Sequence, residues 1–132
     1  TKPELRVRQM LTQAGIRYRL HRRDLPGVPD IVIPAMQAAI FVHGCFWHAH
    51  QDCKLAKWPS TRPEYWRGKL ERNTERDQDA SAMLNMLGWR VLIVWECAIR
   101  RIGATPAFEQ AVLRWLTGNE PHGEMGAEDI LP

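Results

Sequence analysis

Between Gly88 and Glu96 the chain reads Trp-Arg-Val-Leu-Ile-Val-Trp, with Arg90 its one polar member. A run without apolar/polar alternation has no face to give to water, so Trp89 to Trp95 predicts a strand inside a sheet covered on both sides. Such a sheet needs helices. Thr1-Lys2-Pro3-Glu4 has the form of a capping box, and Val7, Met10, Leu11 and Ala14 follow at helical spacing until Gly15. A long helix is predicted from Glu64, with Trp66, Leu70, Asn73, Asp77, Ala80, Leu84 and Leu87 on one stripe and Gly88 as its stop. Another opens at Thr105-Pro106, presents Phe108, Val112, Trp115 and Leu116, and stops at Gly118.

Ile16 to Leu20 alternates apolar and basic residues, as a half-buried strand with Arg17 and Arg19 outward would. After the turn Leu25-Pro26-Gly27-Val28-Pro29, a short strand opens with Asp30, and a second, Ala38 to Val42, delivers the chain to His43. The expected class is α/β, a small mixed β-sheet flanked by helices. The 132 residues suit one domain spanning 1–132, with the Gly, Pro and acidic residues from about 119 to 132 read as a loosely held tail. With no signal peptide and no apolar run near the ~20 residues of a membrane span, a soluble protein is expected. A formal charge of +3 and a pI near 9.0 permit a nucleic-acid partner without requiring one.

Most of the chemistry lies between Phe41 and Cys53, where three histidines, two cysteines and three large aromatics fall within thirteen residues. The chain holds three cysteines, so a pure disulfide framework leaves one thiol over, whereas three thiolates and one imidazole complete a tetrahedral zinc shell. Cys45, His50 and Cys53 are close in sequence. Cys97, at the end of the strongest strand, would join a distant segment to them and staple the excursion of residues 44–62 to the sheet. His48 and His50 flank one residue and a closed shell needs only one imidazole, for which His50 is preferred. Thiol use of this kind points to a reducing compartment.

Pro29-Asp30, ten residues, then Phe41-Val42-His43 has the layout of a nuclease hairpin. A hard cation such as Mg²⁺ takes oxygen ligands, which Asp30 and a backbone carbonyl near Val42 could supply. His43 or His48 could take a proton from the attacking water, and Glu4 and Asp77 could orient a histidine or the hydrated metal. Glu4 also suits a first-turn carboxylate favoured by the helix dipole. Asn73 and Asp77 interrupt an apolar stripe, which there faces either solvent or a polar cleft.

Leu25 to Asp30, Phe41 to His48, Trp58 to Trp66, Asn73 to Asp77 and Gly88 to Cys97 closely resemble the very-short-patch-repair (Vsr) DNA mismatch endonucleases, over about Thr1 to Ala98. The resemblance implies a fold like that of the PD-(D/E)xK restriction endonucleases and a Mg²⁺-dependent nick 5′ of the thymine in a T:G mismatch. Phe41-Val42-His43 stands where other members of that fold carry Glu-x-Lys. It implies Mg²⁺ on Asp30 and the Val42 carbonyl, His48 as general base, His43 and Glu4 supporting the hydration of the metal, and Asp77 orienting His48. Cys45, His50, Cys53 and Cys97 would be the structural zinc ligands. Phe46, Trp47 and Trp66 would form a wedge pushed into the base stack, where plain core packing is the alternative. A monomer in the bacterial cytoplasm, acting on double-stranded DNA where other repair proteins could join it, is implied; the arm that family members carry ahead of the position of Thr1 is expected to be missing here. Two rivals differ in what they do to DNA: a zinc-stabilised binding module that does not cut, and a restriction-type nuclease that cuts matched duplex.

Overall fold

The structure, a computed structural model, describes residues 1–103 and 105–127. Helix α1 (Lys2–Gln13) starts where Thr1 Oγ1 accepts the Glu4 amide at 3.3 Å. The chain enters the sheet through β1 (Arg19–Leu20), antiparallel to β2 (Ile31–Ile33), which is antiparallel to β3 (Ala38–His43). The 24-residue helix α2 (Pro63–Met86) then returns it to β4 (Arg90–Trp95), parallel to β3. Helices α3 (Glu96–Ile102) and α4 (Pro106–Thr117) lead to β5 (His122–Met125), parallel to β4. The sheet is therefore mixed, in the order β1-β2-β3-β4-β5.

Side chains of a strand alternate between faces, and the core divides accordingly. Ile31, Ile33, Ile40, Leu92 and Val94 join the cluster built with α1, α3 and α4, while Val32, Ala39, Phe41, Val91 and Ile93 join Ala80 and Leu84 of α2. Covered on both faces, β4 needs no polar alternation. Arg90 fits because its guanidinium donates to the Trp115 and Leu116 carbonyls of the last turn of α4 and to Met36 O, and lies 4.6 Å from the Trp115 ring centre.

Three elements differ from expectation. Residues 16–18 carry no ladder, since the pairing of β1 with β2 covers only Arg19 and Leu20, although Ile16 and Tyr18 still pack on the core. Helix α3 is seven residues long, too short for a periodic signal. The segment read as a loosely held tail instead contributes β5, with Met125 and Ala127 buried; the end of that segment, 128–132, lies outside the described residues. His-Gly-Glu-Met has little strand propensity, and its conformation comes from the ladder with β4. Among the described residues no helix is long and apolar enough to cross a membrane.

Candidate active site

The register of β2 on β3 pairs Ile31 with Ile40, which sets Asp30, one residue ahead of β2, beside the end of β3. Asp30 Oδ2 accepts the Val42 amide at 2.7 Å. Val42 is extended, and an extended residue sends its N–H and C=O to the same side, so its carbonyl also leaves the strand toward Asp30. The turn before Asp30 presses on α2 at Gly27, whose φ is +74° and where a Cβ would lie 2.7 Å from Ala80 Cβ, so glycine is required twice over. Burial raises the pKa of the Asp30 carboxyl; the Val42 hydrogen bond opposes this and the Glu4 charge adds to it. A bound cation would relieve both burdens, so the donor set fits a hard divalent ion.

Glu4 comes from the first turn of α1 and is 8% exposed. Its Oε1 lies 3.1 Å from His21 Nε2 and its Oε2 3.7 Å from an Arg8 guanidinium nitrogen. One potential ligand atom from each of Glu4, His21 and Asp30 falls within 4.8 Å of the others. Sequence reasoning missed His21, which follows an alternating strand and precedes Arg22-Arg23. Its own segment carried no signal, since what places it is the β1–β2 register: Leu20 opposite Ile31 puts His21 opposite Asp30.

At the end of β3, His43 is 4% exposed, and burial, followed by the charge of His48, lowers its pKa to about 4 although Asp77 pulls the other way. His43 is therefore a neutral imidazole at working pH. The His48 ring stacks on it with centres 3.7 Å apart and planes within 2°. Asp77, from the middle of α2, places Oδ2 2.6 Å from His48 Nδ1 and Oδ1 4.0 Å from His43 Nε2. An ionised carboxylate only accepts, so His48 Nδ1 carries a proton, and the neutral ring in that tautomer has its lone pair on Nε2. Rings in parallel planes cannot both aim a lone pair at one cation, so His43, His48 and Asp77 suit a base with its orienter better than a metal shell. Asp30, Val42, His43, His48, Asn73, Arg76 and Asp77 line one cleft of about 390 Å³. The polar break in the α2 stripe faces this cleft.

Beyond His43, the loop folds back so that the His48 amide donates to Gly44 O and the His50 amide to Cys45 O. Ligand atoms of Cys45, His50, Cys53 and Cys97 lie within 4.8 Å of one another, with Cys97 Sγ 3.6 Å from His50 Nδ1. A tetrahedron with Zn–S about 2.3 Å and Zn–N about 2.0 Å has edges of roughly 3.5–3.8 Å, which that distance matches. Burial raises the Cys45 and Cys97 thiols, so thiolates here need a cation beside them. The first turn of α3 brings Cys97 in, and its amide donates to Cys45 Sγ at 3.3 Å. His50 rather than His48 joins this set; its ring stacks 4.0 Å from that of Trp95.

Phe46, Trp47 and Trp66 form an edge-to-face cluster with ring centres 5.1–5.9 Å apart. Trp47 remains 49% exposed, although Asn73 Nδ2 donates to its carbonyl at 2.9 Å.

An acid at the mouth of a mixed sheet, an imidazole held by a carboxylate and a thiol-rich loop that pins that imidazole define a restriction-endonuclease-like nuclease of the kind that works with a divalent metal. The profile of the family described as DNA mismatch endonuclease Vsr matches residues 1–55. The type II nicking enzyme V.XorIIP of Xanthomonas oryzae pv. oryzae is 50% identical over 107 residues, which cover 81% of this chain and 78% of that one. The DNA mismatch endonuclease Vsr of Escherichia coli is 42% identical over 132 residues, covering 98% of this chain and 84% of the relative. The type II nicking enzyme V.NmeAIP of Neisseria meningitidis is 38% identical over 100 residues, covering 76% and 71%. The chain belongs to the Vsr family of DNA mismatch endonucleases, and it is a DNA endonuclease.

Proposed function

We propose that the chain nicks one strand of duplex DNA on the 5′ side of the thymine in a T:G mismatch, leaving a 3′-hydroxyl and a 5′-phosphate, in very short patch repair. The observation that carries the reading is the meeting of Asp30 with the Asp77-held His48 in one cleft. Asp30 and the Val42 carbonyl would hold Mg²⁺, which when bound supplies positive charge against the phosphate oxygens. His48 Nε2 takes the proton of the attacking water, and Asp77 keeps the ring in the tautomer that can do so. Neutral His43 backs the His48 ring and, with Glu4, supports the hydration of the cation. Zn²⁺ on Cys45, His50, Cys53 and Cys97 would be structural, since four protein ligands leave no open position.

Phe46, Trp47 and Trp66 enter the base stack beside the mismatch. Unstacking costs on the order of a few kcal/mol and is least at a poorly paired step, which favours a wobble pair. Relatives named as nicking enzymes support a single-strand cut. The test is a duplex with one T:G pair, incubated in Mg²⁺ beside its T:A control. A nick confined to the T:G duplex supports the reading. Equal cutting of both points to a restriction-type nuclease, and tight binding with intact strands to a module that does not cut.

A further inference from the structure

The cleft that holds Asp30 and His48 is lined by two carboxylates, Asp30 and Asp77, and, among the described residues, by one permanently charged cation, Arg76. The mechanism above leaves that guanidinium without a task. Arg76 lies on α2 one residue before Asp77, and its Nη2 donates to Asn73 Oδ1 one turn earlier, while Asn73 Nδ2 donates to the Trp47 carbonyl. The guanidinium is thereby held toward the loop that forms the cleft wall. Although Asp77 is its neighbour in sequence, no described carboxylate forms an ion pair with Arg76. Its other N–H donors, unclaimed by the described residues, are free for an anion that enters the cleft.

We propose that Arg76 is a catalytic residue of the nick, its guanidinium donating to a non-bridging oxygen of the scissile phosphate and holding it more tightly as the transition state forms. The proposal rests on the nuclease reading above. In that step the water oxygen bonds to phosphorus, His48 Nε2 takes the water proton, and the P–O3′ bond breaks with its electron pair going to O3′, which is protonated from solvent. Negative charge brought by the attacking oxygen spreads over the oxygens around phosphorus, between two carboxylates that repel it. A planar guanidinium, always charged and forked to match two phosphate oxygens, offsets that repulsion where it is greatest. The Trp47–Asn73–Arg76 chain sets the position of the fork before DNA arrives, so little reorganisation is needed during the reaction.

The test is single-turnover nicking of the T:G duplex in Mg²⁺ at saturating protein, beside binding of the same duplex without added Mg²⁺. In Arg76→Ala the saturated rate should fall about 10²–10³-fold, the range of one lost donor to a developing anion, while duplex affinity falls by no more than about fivefold. Arg76→Lys, charged but without the fork, should recover about tenfold of the loss. Guanidinium ion at matched ionic strength should raise the rate of Arg76→Ala and leave that of the unaltered chain as it was. Arg76 is exposed, and a thermal melt with zinc content verifies that the variants fold. A saturated rate in Arg76→Ala within about threefold of the unaltered chain, or a lowered rate that neither lysine nor guanidinium raises, would overturn the proposal and leave Arg76 a surface side chain. If the unaltered chain cuts no duplex in Mg²⁺, the nuclease reading falls and takes the proposal with it; if it nicks and Arg76→Ala nicks equally fast, the proposal alone falls.

Discussion

Asp77 offers one oxygen to His48 at 2.6 Å and the other toward His43 at 4.0 Å, and this asymmetry is the basis for the different roles proposed for the two imidazoles. His48→Ala should therefore lower the nicking rate about 10²–10⁴-fold, the range of a lost general base, in single-turnover assays on a T:G duplex. If His43→Ala alone were inactive, the roles would exchange. Asp30→Asn should abolish nicking without lowering the melting temperature, because its carboxylate is held in a site that raises its pKa and so gives the fold no stability by ionising. The sequence carried the candidate cysteine ligands through their odd count and their spacing. Spacing alone separated His50 from His48 only weakly, and the ring positions set them apart, one on Trp95 and the other at Asp77. His21 stayed hidden because its significance is a cross-strand neighbour, and register is a property of two segments at once.

At the scale of elements, the long helix and the apolar strands announced themselves by period, whereas α3 and β5 did not. Seven and four residues hold too few repeats to distinguish a face, and β5 contains glycine and charged residues that only a neighbouring strand makes regular. Gly123 shows how closely β5 is fitted. A Cβ there would lie 2.3 Å from Trp115 Nε1, so β5 and α4 would have to separate. Gly123→Ala should cost about 1–3 kcal/mol, read from the urea midpoint, with zinc content unchanged. The polar break in α2 was legible, but its two possible surroundings were not separable without the β3 loop that closes over it.

For the whole molecule, the Cys/His cluster joins the loop after β3 to the start of α3, two segments about fifty residues apart in sequence. Cys97→Ser should lose bound zinc, measured by atomic absorption, and fall in melting temperature together; a chelator strong enough to strip zinc should reproduce both effects in the unaltered chain. The described fold further ties the proposed wedge to the proposed cutting centre through a single helix. Trp66 and Asp77 are eleven residues apart on α2, or about 16 Å of rigid rod. That span works as a caliper: wherever the aromatic jaw closes on the duplex, the hydrolytic jaw meets the backbone at a set distance, so the position of the incision is a property of helix length rather than of the bases read.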